Sequence, residues 1–236
     1  MFGRISLAAA LLVTAFAPGA LAVDQVRDQA KVAGIKSSAT HLYAQQNYLN
    51  DDSDWLFDFT KQPYYTFSPG GVINANQATF PATTGNGMTL AMLNLGPCSM
   101  LPPHLHPRAS NYVVAVHGTT TTYMLQENGD KAVKQTLSPG QMTIFPAGSV
   151  HMMHNLGCDN AQLVSALNSE DTGTTNLWNA LMNSGFDADV VNAAAGYQNL
   201  VNNSTAGQIP PVGTGSLPGT KECLARCAAH KRSQGA

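Results

Sequence analysis

The chain has 236 residues, enough for one sizeable domain or two small ones. Only 11% of its residues are charged, well below the roughly 25% of an average soluble protein, and the formal net charge is -2. Because no basic block exceeds the pair Lys231-Arg232, these figures exclude the usual electrostatic surface of a nucleic-acid-binding protein.

The N-terminus has the pattern of a secretory signal peptide over residues 1–22. Arg4 precedes an apolar run at residues 5–16, and residues 20–22 supply a small-x-small cleavage site. A membrane anchor is the alternative, but the apolar run is too short to span a bilayer and is interrupted by Pro18-Gly19. The pattern therefore predicts a secreted protein of the extracellular space or cell wall, with no membrane as a partner.

Short β-rich segments make up the middle of the chain. Residues 23–63 are predicted as a polar N-terminal extension with a short helix between residues 30 and 48. From residue 64 to residue 171, strand-like segments alternate with Gly and Pro turns, and Asn128-Gly129 is a strong hairpin signal. Strands are expected at 72–76, 88–93, 113–116, 119–125, 142–145 and 161–167. This spacing predicts an all-β barrel or jelly-roll domain over residues 64–171.

The last part of the chain, residues 172–236, returns to a helical pattern and is predicted as a C-terminal appendage. Helices are expected at 175–182, 187–195 and 222–229, with a Pro- and Gly-rich connector at 208–220. Asn202 and Asn203 begin two overlapping N-glycosylation sequons, which agrees with secretion.

Four cysteines in an oxidising compartment favour disulfides over metal thiolates, and they allow three pairings. Cys223 and Cys227 are spaced so that they would share one face of a helix. If these two pair with each other, Cys98 and Cys158 pair by elimination and staple two strands of the barrel together. The choice among the three pairings stays open on these grounds.

The histidines His104 and His106 carry the clearest chemical signal in the chain. Alternate side chains of a β-strand point the same way, so that both imidazoles can reach one metal ion. His151 supplies a third imidazole, and three imidazoles form a credible site for Zn, Cu, Fe, Ni or Mn. His154 is expected to face the other side of its strand, and His117, beside a glycine, is expected at the surface.

Two motifs around these histidines resemble those of the cupin superfamily. The first motif reads HxH, four residues, Glu, six residues, Gly, and the second reads Gly, five residues, PxG, two residues, His, three residues, Asn. The first is matched by His104, His106 and Gly118, with Asn111 in the place of the Glu. The second is matched in full by Gly140, Pro146, Gly148, His151 and Asn155.

The stretch 104–110 resembles the germin signature HTHPRAT, and the cysteine-bearing tail resembles that of fungal spherulin-like proteins. The resemblance implies a double-stranded β-helix (jelly-roll) barrel with one divalent metal ion held by His104, His106 and His151. It also implies manganese as the metal, disc-like homo-oligomers, and oxalate oxidase or superoxide dismutase activity in some members. Asn155 closes the second motif in a structural role.

Asn111 stands where the resemblance places a fourth, acidic ligand. Its amide would ligate weakly through oxygen or act indirectly through a hydrogen bond. Without the carboxylate, three neutral imidazoles leave the charge of a divalent ion uncompensated, so that affinity for hard Mn²⁺ falls and Cu²⁺ or Zn²⁺ becomes plausible. The uncompensated charge favours a small anionic ligand, while a proton acceptor beside the metal is lost.

Two functions of different classes follow from this pattern. One is an extracellular metal-dependent oxidoreductase that acts on a small anion or on reactive oxygen, indicated by three ligands with an open coordination position. The other is a non-catalytic secreted or cell-wall protein that binds a metal or a small ligand, indicated by the missing Glu and the low-charge composition. Metal content, followed by oxalate and superoxide assays, discriminates between them.

Overall fold

A computed structural model describes residues 24–183, 185–196, 200 and 215–234. The predicted signal peptide and the sequons at Asn202 and Asn203 lie outside these residues. In the part of the chain that is described, no helix is long and apolar enough to cross a bilayer.

Two helices replace the single helix predicted for the N-terminal extension. They are α1 (Gln29–Ser37) and α2 (His41–Tyr48), and each begins at a polar cap, Asp28 and Thr40, whose side chain accepts a backbone N–H of the first turn. Three short 3₁₀ helices follow at Asp52–Trp55, Phe59–Lys61 and Pro81–Thr83.

Eleven strands lie among the described residues. They are β1 (Gly70–Ala75), β2 (Thr89–Leu95), β3 (Ser99–Leu105), β4 (Asn111–His117), β5 (Thr120–Leu125), β6 (Val133–Leu137), β7 (Met142–Phe145), β8 (Val150–His154), β9 (Ala161–Leu167), β10 (Thr175–Asn176) and β11 (Leu217–Pro218). One antiparallel sheet has the order β1-β2-β9-β4-β7, and the other has the order β10-β3-β8-β5-β6, with β11 also paired to β3. This double-sheet arrangement confirms the predicted all-β jelly-roll barrel.

The core lies between the two sheets, where alternate side chains of each strand turn inward. In β9, every second residue is buried, as the strand-like alternation of its sequence predicts. Leu95, Val113, Phe145 and Leu163 are among the fully enclosed side chains. Burial of each such large apolar side chain contributes about 1.5–3 kcal/mol to the stability of the barrel.

The tail contains strands as well as the predicted helices. The helices are α3 (Leu177–Asn183), α4 (Ala188–Ala194) and α5 (Lys221–Gln234). Between and before them, β10 and β11 pair with β3, so that the tail adds to the sheet of the barrel. Strands of two residues have no periodicity that a sequence pattern can reveal. The division of the chain at residues 64 and 171 stays a prediction.

The disulfide pairing expected by elimination is wrong. Cys98 is bonded to Cys223, and Cys158 is bonded to Cys227. Cys223 and Cys227 do share one face of α5, but this face is buried against the barrel, so each meets a barrel cysteine instead of its neighbour on the helix. The two bridges fix α5 to the chain just before β3 and just after β8.

Candidate metal centre

Three histidines from two segments of the barrel meet in one place. His104 on β3 lies directly opposite His151 on β8, and His106 follows the last residue of β3. The ring centroids of His104 and His151 are 4.3 Å apart, and His106 is 5.3 Å from each. One ring nitrogen of each lies within 4.8 Å of the others, close to the separation that two nitrogens at about 2.1 Å from one ion can span.

Each of the three rings has its Nδ1 atom against a backbone carbonyl. The contacts are His104 with the Pro102 oxygen at 2.7 Å, His106 with the Gly173 oxygen at 2.7 Å, and His151 with the Ser149 oxygen at 2.9 Å. Because a carbonyl oxygen only accepts, each Nδ1 donates and the lone pair of each neutral ring is left on Nε2. The backbone thus holds all three rings in the tautomer that ligates a metal through Nε2.

Burial keeps these rings neutral. Burial, followed by the nearby His106 ring, lowers the pKa of His104 to about 4. Burial and the His104 ring lower the pKa of His151 to about 2, and burial also lowers the pKa of His106. At neutral pH no proton has to leave these nitrogens before a cation binds.

Phe145 contacts the histidine cluster, and Asn111 lies beside Phe145 in the sheet. These two residues are paired across β4 and β7, and the Phe145 ring is stacked on His151 with 4.3 Å between centroids. The Oδ1 atom of Asn111 and the Nε2 atom of His151 are both buried, and neither has a hydrogen-bond partner among the described residues. Buried acceptors without a partner cost free energy. A bound cation would provide the buried His151 acceptor with a partner, although the three-histidine cluster contains no carboxylate.

Asn155 ties the second motif to the chain before β3. Its buried Nδ2 atom donates to the backbone oxygens of Leu95, Gly96 and Asp159, and its Oδ1 atom accepts the backbone N–H of Gly157. These backbone contacts fix the side chain, so it holds together the segments on which the histidines stand.

The remaining motif residues lie at turns. Gly118, Gly140 and Gly148 all have positive φ. A Cβ atom at Gly118 would lie 2.7 Å from the backbone oxygen of Asn160, so this turn requires glycine. The Gly148 N–H donates to the His106 oxygen, and the Pro146 oxygen accepts from Ser149, whose own carbonyl holds His151. The second motif thus supports two of the three ligands through its backbone.

The other histidines of the barrel stay apart from the cluster. His154 is buried away from His151, where a Cβ atom on Gly219 would lie 2.4 Å from its Nε2 atom. Its ring is therefore covered by the tail. His117 is exposed at the end of β4.

The segment between β9 and α3 is the part of the site that the sequence did not reveal. Gly173 in this segment accepts the His106 Nδ1–H from 67 positions away, and β10 pairs with residues Leu105 and His104. The signal available in the sequence was a glycine in a polar stretch, which carries no chemistry of its own.

Fold and site together define a jelly-roll barrel with a three-histidine candidate metal centre. A family model described as Cupin matches residues 59–199. The chain belongs to the cupin family and, within it, to the germin- and spherulin-like type.

Relatives of both kinds are found. Spherulin-1A of Physarum polycephalum is 28% identical over 181 residues, which cover 76% of this chain and 72% of that protein. Germin-like protein 9-1 of Oryza sativa subsp. japonica is 38% identical over 122 residues, which cover 51% of this chain and 49% of that protein. The shared portion is therefore only part of each protein.

Among solved structures, an oxalate oxidase superposes with a TM-score of 0.58 at 23% identity, covering 66% of this chain and 83% of that one. An oxalate decarboxylase from Bacillus subtilis superposes with a TM-score of 0.58 at 14% identity, covering 69% of this chain and 40% of that one. At such identities the likeness shows the fold alone.

Proposed function

We propose that this protein is a secreted cupin that binds one divalent metal ion through the Nε2 atoms of His104, His106 and His151. The observation that carries the proposal is the backbone clamp on all three Nδ1 atoms, which leaves three neutral donors converging on one point. The Nε2 atom of His151 is buried and has no hydrogen-bond partner among the described residues, so a bound ion would provide that partner.

The donor set supports Zn²⁺ or Cu²⁺ over Mn²⁺. Three imidazoles and a neutral amide supply no negative charge, and hard Mn²⁺ prefers carboxylate oxygen. For the same reason the bound ion would keep its positive charge and would favour a small anion as a further ligand. Asn111 would act weakly through its buried oxygen or through a hydrogen bond to that ligand.

An oxidoreductase acting on a small anion or on reactive oxygen is the second candidate function. It is favoured by the count of protein ligands, because sites with three ligands keep a position open, as in catalytic centres. When bound, a redox-active ion would supply electron transfer, and this chain would hold the ion and exclude water around it. A non-catalytic metal- or ligand-binding role is favoured by the absence of a carboxylate proton acceptor from the cluster.

Titration of the metal-free protein with Zn²⁺ and with Mn²⁺ tests the proposed site. Wild type and the control His117→Ala, at an exposed histidine, should each bind one Zn²⁺ per chain, and His151→Ala should lose this binding. Asn111→Glu should raise the affinity for Mn²⁺ relative to Zn²⁺ because it adds the missing charge. Wild type without stoichiometric Zn²⁺, or His151→Ala with unchanged Zn²⁺ affinity, contradicts the proposal.

Activity assays of the protein loaded with Cu²⁺ and, separately, with Mn²⁺ distinguish the two candidates, because Zn²⁺ has no redox chemistry of its own. Oxidation of oxalate or removal of superoxide by wild type, lost in His151→Ala, supports the oxidoreductase. If the loaded protein is inactive in both assays, the oxidoreductase is refuted and metal or small-ligand binding stands as the function.

Secretion is part of the same proposal. The signal-peptide pattern at residues 1–22, the two disulfides and the sequons at Asn202 and Asn203 all support an extracellular or cell-wall location. A homo-oligomer is proposed from the family resemblance. Mass spectrometry of the secreted protein tests the cleavage, and light scattering tests the assembly.

A further inference from the structure

The three ligands differ in where their supporting carbonyl comes from. His104 and His151 each donate to the carbonyl two positions earlier in the chain. His106 instead donates to Gly173, 67 positions away and beyond the last long strand of the barrel. His106 is also the least buried of the three. Its orientation therefore depends on a segment that has to be docked beside it.

A small network docks that segment, residues 171–176, which we term the bracing segment. Arg108 makes three contacts with it: Nε donates to the Asp171 backbone oxygen at 2.7 Å, Nη2 donates to the Asp171 carboxylate at 2.7 Å, and the backbone N–H donates to Thr172 at 3.2 Å. A Cβ atom at Gly173 would lie 2.9 Å from the Pro107 ring, so the two stretches are in close contact.

The bracing segment also contacts the ligands themselves. The Thr174 hydroxyl lies 3.3 Å from Nδ1 of His106, and Asn176 pairs with His104 across β10 and β3. The segment thus touches two of the three ligand residues.

We propose that the metal centre is completed by the bracing segment and that Arg108 is the positioning residue that keeps it docked. Displacement of the segment would remove the carbonyl that orients His106 and would leave a two-histidine site. Metal binding and docking of the bracing segment are then thermodynamically linked. Docking raises the metal affinity by the same factor by which bound metal favours the docked segment. This inference rests on the proposed metal-binding function.

The fold itself depends little on this ion pair. Arg108 and Asp171 are both more than half exposed, and exposed pairs contribute little to stability. Loss of the pair should therefore lower the affinity for Zn²⁺ and leave the melting temperature of the metal-free protein unchanged.

The test compares Arg108→Gln with the control Lys61→Gln. The control also removes a positive charge from an exposed ion pair, the one between Lys61 and Asp58. Zn²⁺ affinity is measured by chelator competition, the Cu²⁺ complex by electron paramagnetic resonance, and docking by hydrogen exchange of residues 171–176 with and without Zn²⁺. Asp171→Ala and the double variant Arg108→Gln/Asp171→Ala complete a mutant cycle.

In wild type and in Lys61→Gln, Zn²⁺ should slow exchange in the bracing segment. Arg108→Gln should lose Zn²⁺ affinity by about threefold to tenfold, less than the 10–100-fold expected when a direct partner of a ligand is removed. The Cu²⁺ spectrum of Arg108→Gln should differ from that of wild type, and its metal-free melting temperature should equal that of Lys61→Gln. The double variant Arg108→Gln/Asp171→Ala should lose no more Zn²⁺ affinity than Arg108→Gln alone.

Two results overturn the inference while leaving the metal site intact. One is a wild type that binds Zn²⁺ with no change of exchange in residues 171–176. The other is an Arg108→Gln variant with wild-type Zn²⁺ affinity and Cu²⁺ spectrum. A wild type that binds no Zn²⁺ overturns the proposed function and this inference with it.

Discussion

Lowering the pH from 7 to 5 should destabilise the metal-free protein through its buried histidines. An ordinary histidine has a pKa of 6.5, whereas burial lowers the pKa of His104 to about 4 and that of His151 to about 2. Between the two values the unfolded chain binds protons that the native protein does not, so the free energy of unfolding falls as the pH falls below about 6.5. From pH 7 to pH 5, each residue contributes about 2 kcal/mol, or about 4 kcal/mol together.

Denaturant unfolding at pH 7, 6 and 5, in the presence of a chelator, measures this loss. In His104→Gln and in His151→Gln, the fall in the free energy of unfolding between pH 7 and pH 5 should be smaller than in wild type by about 2 kcal/mol. This holds whatever the stability of each variant at pH 7. His117→Gln, at an exposed histidine, should keep the wild-type dependence. If both cluster variants show the same pH dependence as wild type, the histidines are not held neutral by burial and the reasoning fails.

Three further outcomes are expected. Asn155→Ala removes the four hydrogen bonds of this side chain and should lower the free energy of unfolding by about 3 kcal/mol in urea; a loss below 1 kcal/mol contradicts its structural role. Gly118→Ala should lower the melting temperature, because its Cβ atom would lie 2.7 Å from a backbone oxygen at positive φ; an unchanged value contradicts this. Peptide mapping by mass spectrometry should recover the bridge Cys158–Cys227, whereas a Cys98–Cys158 peptide refutes the pairing.

Local spacing made the barrel and the histidine cluster predictable. The period of two in β9 and in the pair His104 and His106 follows from strand geometry alone, so both could be inferred without knowing the partner strands. His151 could be joined to the pair because its motif is complete in the sequence. These inferences concern the direction in which a side chain points along its own stretch of chain, which does not depend on distant segments.

Features that depend on distant segments could not be inferred in the same way. The spacing of Cys223 and Cys227 placed both on one helix face but did not show what that face contacts. The carbonyl that orients His106 is contributed by Gly173, and a carbonyl carries no signature in the sequence. Both depend on how the tail returns to β3, which only the three-dimensional arrangement defines.

Elemental analysis of the secreted protein, purified without added metal, tests the central claim most directly. Wild type should contain one equivalent of a divalent transition metal per chain, with Zn or Cu in preference to Mn, and the double variant His104→Ala/His151→Ala should contain none. A wild type without stoichiometric metal, or a double variant that retains it, contradicts the assignment of the three histidines as a metal centre.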